Sequence, residues 1–174
     1  MKFLYYCKAS LTLLTPHAWC VKKRQMFLNK YYTKYNTIDL HFRCNYYNKQ
    51  KETKALSEKA TQISHHKLKN SKFSKVYFFD THEILRYFPK HLKWIFKAGD
   101  ITELQPEPTI VKSRPIGEDN ENSILLKLNK IRHFVFVHDK RKFQDKIPHI
   151  LFRGAAHGKP NRQKFIEMYV NHPI

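Results

Sequence analysis

The segment from His149 to Val170 constrains the fold of this chain more than any other stretch. Its apolar beginning, residues 149–152, is compatible with a buried strand. Arg153 and Gly154 break that run, and residues 160–169 then have the spacing of a helix. Because the first turn of a helix has unpaired N–H groups and a partial positive charge, a strand, a glycine loop and a helix start together predict a site for an anion.

Basic side chains surround the predicted loop. Arg153, Lys159 and Arg162 add positive charge, and an arginine can bind a phosphate through two parallel hydrogen bonds. Gly154 would let the backbone approach a phosphate closely. The sequence therefore predicts a phosphate-binding turn for a nucleotide-sugar diphosphate. An ordinary strand-to-helix connection in a basic protein remains the alternative, since Gly-x-x-x-Gly is a weak motif.

The composition bounds the class of protein. The chain has 174 residues, of which 41% are hydrophobic, and a mean hydropathy of −0.64, values that fit a soluble globular protein. Its net charge of +19 favours polyanionic partners such as nucleic acid, anionic lipid or phosphorylated substrates. The lysines are spread along the whole chain, which argues against a dedicated nucleic-acid arm.

Cysteine usage and hydropathy bear on the compartment. Cys7, Cys20 and Cys44 match no zinc or redox motif, and an odd number cannot pair fully, so a cytoplasmic setting is expected. No apolar run is long enough to span a bilayer. Residues 1–30 mix aromatic residues with lysines. They either contact an anionic inner-membrane surface peripherally or pack on the domain.

One carboxylate is a candidate for catalysis. Residues 75–80 have the composition of a β-strand that ends in Asp80, and α/β enzymes often place catalytic groups at the carboxyl end of a strand. Asp80 can act as a general base if burial raises its pKa. The alternative is a capping residue without chemistry. No carboxylate pair is arranged as a metal clamp, so we expect neither a metal nor another cofactor.

The remaining pattern predicts strands alternating with helices, hence an α/β domain. A polar helix is predicted within residues 51–63 and a short strand at residues 109–111. A helical run is predicted over residues 122–131 and a buried strand over residues 132–137. The basic tetrad at residues 112–115 either meets phosphate or sugar hydroxyls or forms a solvated loop.

Several words of the sequence occur in the order found in a known family. They are NYYNK, VYFFDTHEILRYFPKHLKW, PTIVKSRPI, NSILLKLNKIRHFVFVHDK and, from residue 152, FRGAAH followed by NR and NHP. Together they resemble the lipopolysaccharide-modifying glycosyltransferases of family 90, which are related to the CAP10 capsule proteins. The resemblance covers roughly residues 35–174.

The resemblance implies a fold and a reaction. The fold would be one Rossmann-like lobe of a GT-B-type glycosyltransferase that ends before the second lobe, with an aromatic and basic extension at residues 1–50 and a partial α/β glycosyltransferase domain at residues 51–174. The reaction would transfer a sugar from a nucleotide-sugar donor to a lipopolysaccharide or related glycan acceptor. A missing lobe would make independent activity doubtful.

The resemblance also implies site residues. The residues assigned to the nucleotide-sugar site are Phe152, Arg153, Gly154 and Arg162. Asp80 matches the acidic base of the family, although Phe79 stands where the eukaryotic relatives have an arginine, and His82 and Glu83 remain secondary candidates. The rival class is a non-enzymatic basic protein that binds nucleic acid or an anionic membrane surface. For a transferase we expect no specific nucleic acid as a partner.

Overall fold

The chain folds into two compact units that divide between Phe136 and Val137. The computed structural model describes residues 2–70, 74–134, 136–149 and 152–170. Each unit is described by itself below.

The first unit begins with three helices, α1 (Lys2–Leu13), α2 (His17–Lys34) and α3 (Thr37–Tyr47). Pro16 precedes α2, a position that tolerates proline because the first helical turn has no partner for the missing N–H group. The side chain of Asn36 caps α3 by accepting a hydrogen bond from the Ile38 amide at 2.9 Å. Pro16 and Asn36 thus mark the boundaries between the three helices.

The middle of the first unit places a helix between two short antiparallel strands. Strand β1 (Thr61–Gln62) pairs with β2 (Lys93–Trp94), and α4 (Lys75–Leu85) lies between them in the chain. Helix α4 buries Phe78, Phe79 and Leu85, which form much of the core together with Val111 and Leu128. Helix α1 packs against α4.

A parallel pair of strands follows. Strand β3 (Thr109–Val111) pairs with β4 (Ser123–Leu125) in the register Thr109 to Ser123, and Phe96 forms a parallel bridge to Ile110 on the other side of β3. Helix α5 (Lys130–His133) comes after β4. Because parallel strands point the same way, the segments that leave β3 and β4 begin at the same edge.

Among the described residues of the second unit, the longest element is a helix near its end. A 3₁₀ turn at Phe143–Asp145 precedes a loop, and α6 (Pro160–Tyr169) has proline in its first turn. The rings of Phe152 and Phe165 lie 5.9 Å apart between centroids, and those of Phe165 and Tyr169 lie 5.0 Å apart. This aromatic row ties the loop to its helix. Among the described residues, no helix is both long and apolar enough to cross a bilayer.

The structure confirms some of the predicted elements. The strand at residues 109–111 is confirmed, and α6 lies where helical spacing predicted a helix. The mixture of helices and small sheets is compatible with the α/β class. The GT-B lobe and the division at residue 50 stay predictions.

The predicted strand at residues 75–80 is wrong, because these residues form the first half of α4. Asp80 therefore lies inside a helix and not at the end of a strand. The run of aromatic residues suggested a strand, but the buried positions Phe78, Thr81 and Leu85 follow the three-to-four-residue spacing of a helix. The packing of these side chains against α1 and in the core favours the helical period over the two-residue period of a strand.

Three further predictions are corrected, and a fourth lies partly outside the described residues. Residues 51–60 form a loop, residues 61–62 are β1 and Ile63 begins a 3₁₀ turn, so no helix forms there. The predicted helix at 122–131 is β4 followed by a loop and the start of α5. Arg132 and His133 belong to α5, and Phe134, Phe136 and Val137 lie in no strand, whereas Val135 lies outside the described residues. In the predicted strand at 149–152, His149 and Phe152 are in loops, and residues 150 and 151 lie outside the described ranges.

A half-buried histidine makes the stability of the first unit depend on pH. Nε2 of His66 lies 3.0 Å from the Thr81 hydroxyl and 3.4 Å from the Phe78 carbonyl oxygen. Because that carbonyl only accepts and the Thr81 hydroxyl donates to the Tyr77 carbonyl, Nε2 carries the proton. Burial lowers the pKa of His66 to about 4.

We predict that stability falls as the pH falls from about 6.5 to 4, since the unfolded chain binds a proton at His66 that the folded chain does not. The loss would be at most about 3 kcal/mol, and burial of His82 acts in the same direction. The substitution His66→Gln keeps a donor and removes the titration. Urea unfolding at several pH values should give a flatter profile for His66→Gln than for the exposed control His65→Gln; equal profiles would contradict the assignment.

Candidate functional site

Asp80 is held by hydrogen bonds from two other parts of the first unit. The Tyr5 hydroxyl of α1 donates to Oδ1 at 2.7 Å, and the backbone amide of Lys130 donates to Oδ2 at 3.1 Å. The amide of Asn129 also interacts with the carboxylate. Asn129 has a φ of 57°, a left-handed conformation that asparagine tolerates well, and it aims these amides at Asp80. A single carboxylate thus joins α1, α4 and the start of α5.

Burial sets the electrostatics of this carboxylate. Asp80 is only 1% exposed. Loss of hydration raises the pKa of its carboxyl, and the hydrogen bonds from Tyr5 and from the amides act in the opposite direction. Burial and the adjacent carboxylate likewise raise the pKa of Tyr5. A raised pKa is the property that the general-base prediction required, but both carboxylate oxygens have donors in this structure.

The two secondary candidates on α4 have other partners. Glu83 is exposed and pairs with the Lys130 ammonium at 2.6 Å. His82 stacks on Phe78 with 5.7 Å between ring centroids, and burial lowers its pKa. Neither side chain contacts Asp80 directly among the described interactions. Glu83 and Lys130 extend the link between α4 and α5 that Asp80 begins.

The predicted phosphate loop lies in the second unit. Phe152, Arg153 and Gly154 are exposed loop residues, and Arg162 lies in the first turn of α6. Nη1 of Arg162 donates to the Ala155 carbonyl at 3.2 Å, so its guanidinium is tied back to the loop that follows Gly154. The structure therefore places these four residues in one loop-helix segment. Asp80 belongs to the first unit.

The two glycines of this loop differ in what their positions require. A Cβ atom at Gly154 would lie 3.4 Å from the ring of Phe152, at the short end of ordinary contact. Gly158 has a φ of +70°, in the left-handed region that favours glycine. The Lys159 carbonyl accepts the amides of Arg162 and Gln163 at 2.9 and 3.1 Å. An anion at this helix start would therefore depend mainly on side chains.

Sequence reasoning missed the partners of Asp80. Tyr5 is 75 positions away in the chain, and the Asn129 and Lys130 amides belong to the backbone, so no spacing in the sequence links them. The only local sign of this arrangement in the sequence was Asn129, which stands directly before the short basic segment of α5. Within the parts of the chain that the structure describes, no group of three or more His, Cys, Asp or Glu side chains is placed to hold a metal ion.

We predict that Tyr5→Phe destabilises the first unit by about 1.5–3 kcal/mol, the range for hydrogen bonds to charged groups. The variant leaves Oδ1 of Asp80 buried without its donor. Urea denaturation should detect the loss, with Tyr6→Phe as the control. The Tyr6 ring packs on Tyr5 and Phe79, with no hydrogen bond from its hydroxyl among the described contacts. Equal stabilities of the two variants would contradict a structural role for the Tyr5–Asp80 bond.

Comparison with known proteins gives one informative match. The chain is 34% identical over 175 aligned residues to a curated relative described as "O-glucosyltransferase LpsA" from Dichelobacter nodosus. The alignment covers 99% of this chain and 54% of that relative, so the chain spans about half of the relative's length. No protein-family model matches the chain, and no solved structure does. The predicted resemblance to a glycosyltransferase is thereby confirmed for the part of that relative that the alignment covers, while membership of family 90 stays a prediction.

Proposed function

We propose that this chain forms part of a glycosyltransferase that moves a sugar from a nucleotide-sugar donor to a hydroxyl of a lipopolysaccharide or related glycan. The observation that carries this proposal is the 34% identity to an O-glucosyltransferase along nearly the whole chain. Because the chain spans about half of that relative, the activity, the donor and the acceptor are all proposed. A GT-B-like lobe and peripheral contact with an anionic membrane also stay predictions.

The loop before α6 is the proposed donor site. Its exposed Arg153, the Arg162 guanidinium beside the Ala155 carbonyl and the nearby Lys159 supply three positive charges. A nucleotide-sugar diphosphate carries negative charge that increases on the leaving group as the sugar departs. Cations fixed near that group stabilise the transition state more than the ground state. Phe152 is 39% exposed and offers an aromatic edge to the donor.

Asp80 is the proposed general base. It would take the proton from an acceptor hydroxyl as the oxygen attacks the anomeric carbon and the bond to the diphosphate breaks. A carboxyl with a raised pKa suits this role because it is a stronger base than an exposed aspartate. The acceptor hydroxyl would have to replace one present donor, and the Tyr5 hydroxyl is the only side-chain donor described on this carboxylate.

We predict that Arg153→Ala and Arg162→Ala each weaken nucleoside-diphosphate binding by about tenfold or more, the cost of one charge-assisted contact. Calorimetric titration with uridine, adenosine and guanosine diphosphates, free and as glucose conjugates, would measure this and identify the base. Arg141→Ala is the matched control, because it removes an equal charge from the second unit outside the loop. Unchanged affinity in both loop variants would remove the donor-site role.

We predict that Asp80→Asn lowers the rate of sugar transfer by about 10²–10⁴-fold, the usual contribution of a general base. Asparagine has nearly the same shape and keeps an acceptor for the Lys130 amide. Transfer would be measured with labelled nucleotide sugar and a lipopolysaccharide acceptor, alongside diphosphate affinity. Retained transfer in a folded Asp80→Asn variant would leave Asp80 a purely structural role.

A further inference from the structure

A basic pocket lies where the chain leaves β3, in the first unit. It has a volume of about 470 Å³, within the range of small-molecule sites. Lys49, Lys112 and Arg114 contribute cations to its wall, and none of its described lining residues carries a carboxylate. The described lining therefore carries three positive side chains and no negative one, in addition to the diffuse charge of the whole chain.

The fold places this pocket at a recurrent position for ligands. Residues 112–116 follow β3 directly, and Leu125 is the last residue of β4, so both parallel strands deliver their carboxyl ends to it. Open sheets with parallel strands bind ligands in the crevice outside those ends. Most of the lining residues belong to two of the sequence motifs that carried the family resemblance, NYYNK at residues 45–49 and PTIVKSRPI at residues 108–116.

Hydrogen bonds fix the shape of the wall. Nη2 of Arg114 donates to the Tyr46 carbonyl at 2.5 Å and Nη1 donates to the Ser123 carbonyl at 3.3 Å. The Arg114 guanidinium also lies 5.2 Å from the ring centre of Tyr46. Nδ2 of Asn120 donates to the Pro115 carbonyl at 2.8 Å. The cation of Arg114 is consequently held in place before any ligand binds.

Two lysines supply the more adaptable charges. Nζ of Lys49 donates to Oδ1 of Asn120 at 2.8 Å. The side chain of Lys112 is only 12% exposed, and its Nζ pairs with Oδ1 of Asp100 at 2.5 Å and lies 3.4 Å from Nε2 of His133. Asp100 is 82% exposed at its side chain, and the nearby lysine lowers the pKa of its carboxyl.

The partner of Lys112 is an exposed carboxylate, so an incoming anion would compete with Asp100 for the Lys112 ammonium. The half-buried Lys112 ammonium would then face an incoming anion in a less hydrated setting, where the attraction is stronger. Asp100 is not among the residues that line the pocket, so it pairs with Lys112 without filling that space.

We propose that this pocket binds an anionic group, a phosphate or a carboxylate, on the saccharide acceptor. The assignment of the anion to an acceptor rests on the proposed function, whereas the anion site itself rests on the geometry of the pocket. The proposed donor diphosphate is already assigned to the loop before α6, so this second cluster of cations suits the other substrate. Tyr46, exposed beside Arg114, adds an aromatic face and a hydroxyl for the sugar.

The test is a titration of the whole chain with glucose 6-phosphate, glucuronate, glucose and inorganic phosphate, followed by nuclear magnetic resonance. We expect at least one charged sugar to bind at least tenfold more tightly than glucose and than inorganic phosphate. Tighter binding of glucose 6-phosphate would identify a phosphate, and tighter binding of glucuronate a carboxylate. Equal affinity for glucose and both charged sugars would overturn the proposal, and so would equal affinity for inorganic phosphate.

Substitutions locate the site. Lys112→Met and Lys49→Met should each weaken the charged sugar at least fivefold, whereas the control Lys97→Met, which removes a lysine paired with Glu103, should change it less than twofold. Asp100→Asn should tighten binding at least twofold, a gain that misfolding cannot produce. Equal losses in Lys97→Met, or no gain in Asp100→Asn, would overturn the proposal.

The same titration separates this proposal from the proposed function. Arg153→Ala should leave the affinity for the charged sugar unchanged, because Arg153 belongs to the donor loop of the second unit. A loss in that variant would place the sugar in the donor loop and overturn the pocket. If the charged sugar binds as expected but no donor is bound or transferred, the anion site stands and the glycosyltransferase proposal fails.

Discussion

The first unit depends on one buried carboxylate that receives hydrogen bonds from separate parts of the chain. Asp80 accepts hydrogen bonds from a hydroxyl of α1 and from backbone amides at the start of α5. Its own helix, α4, packs Phe78, Phe79 and Leu85 into the core. Burying a carboxylate is costly unless its oxygens are satisfied. The donors offset that cost only when all three elements are in place, so Asp80 makes their association cooperative and orientation-specific.

The dependence of the first unit on contacts between distant parts of the chain explains which features could be predicted from the sequence. The strand at 109–111 and α6 have clear local signals, a run of β-branched residues and a proline followed by helical spacing. Residues 75–80 carried equally strong local signals for a strand, yet they form a helix because their aromatic side chains pack on α1 and on the core. Contacts between residues far apart in the chain overrode the local preference for a strand, and the hydrophobic periodicity of a segment carries no information about such contacts.

The candidate sites divide in the same way. The word around Gly154 was recognisable because its function would depend on neighbours in the chain, and Arg162 does bond back to Ala155. Only part of the basic pocket could be predicted from the sequence. The tetrad at 112–115 was identified as a candidate, but Tyr46 and Lys49 lie some 65 positions away in the chain and reach the pocket only through packing. Asp80 was singled out for its residue type and for a strand end that the structure does not have, and neither its helical setting nor the bond from Tyr5 was predicted.

The diffuse charge of the chain and the local charge of its pocket have different consequences. A net charge of +19 attracts any polyanion, and such attraction between exposed groups weakens beyond about 8–10 Å at physiological salt. Lys112 is half-buried, and Arg114 is fixed by two carbonyls, so their pull on a bound anion is screened much less. Discrimination between an anionic sugar and a generic polyanion should therefore persist at salt concentrations that abolish the diffuse attraction, because geometry rather than total charge sets it.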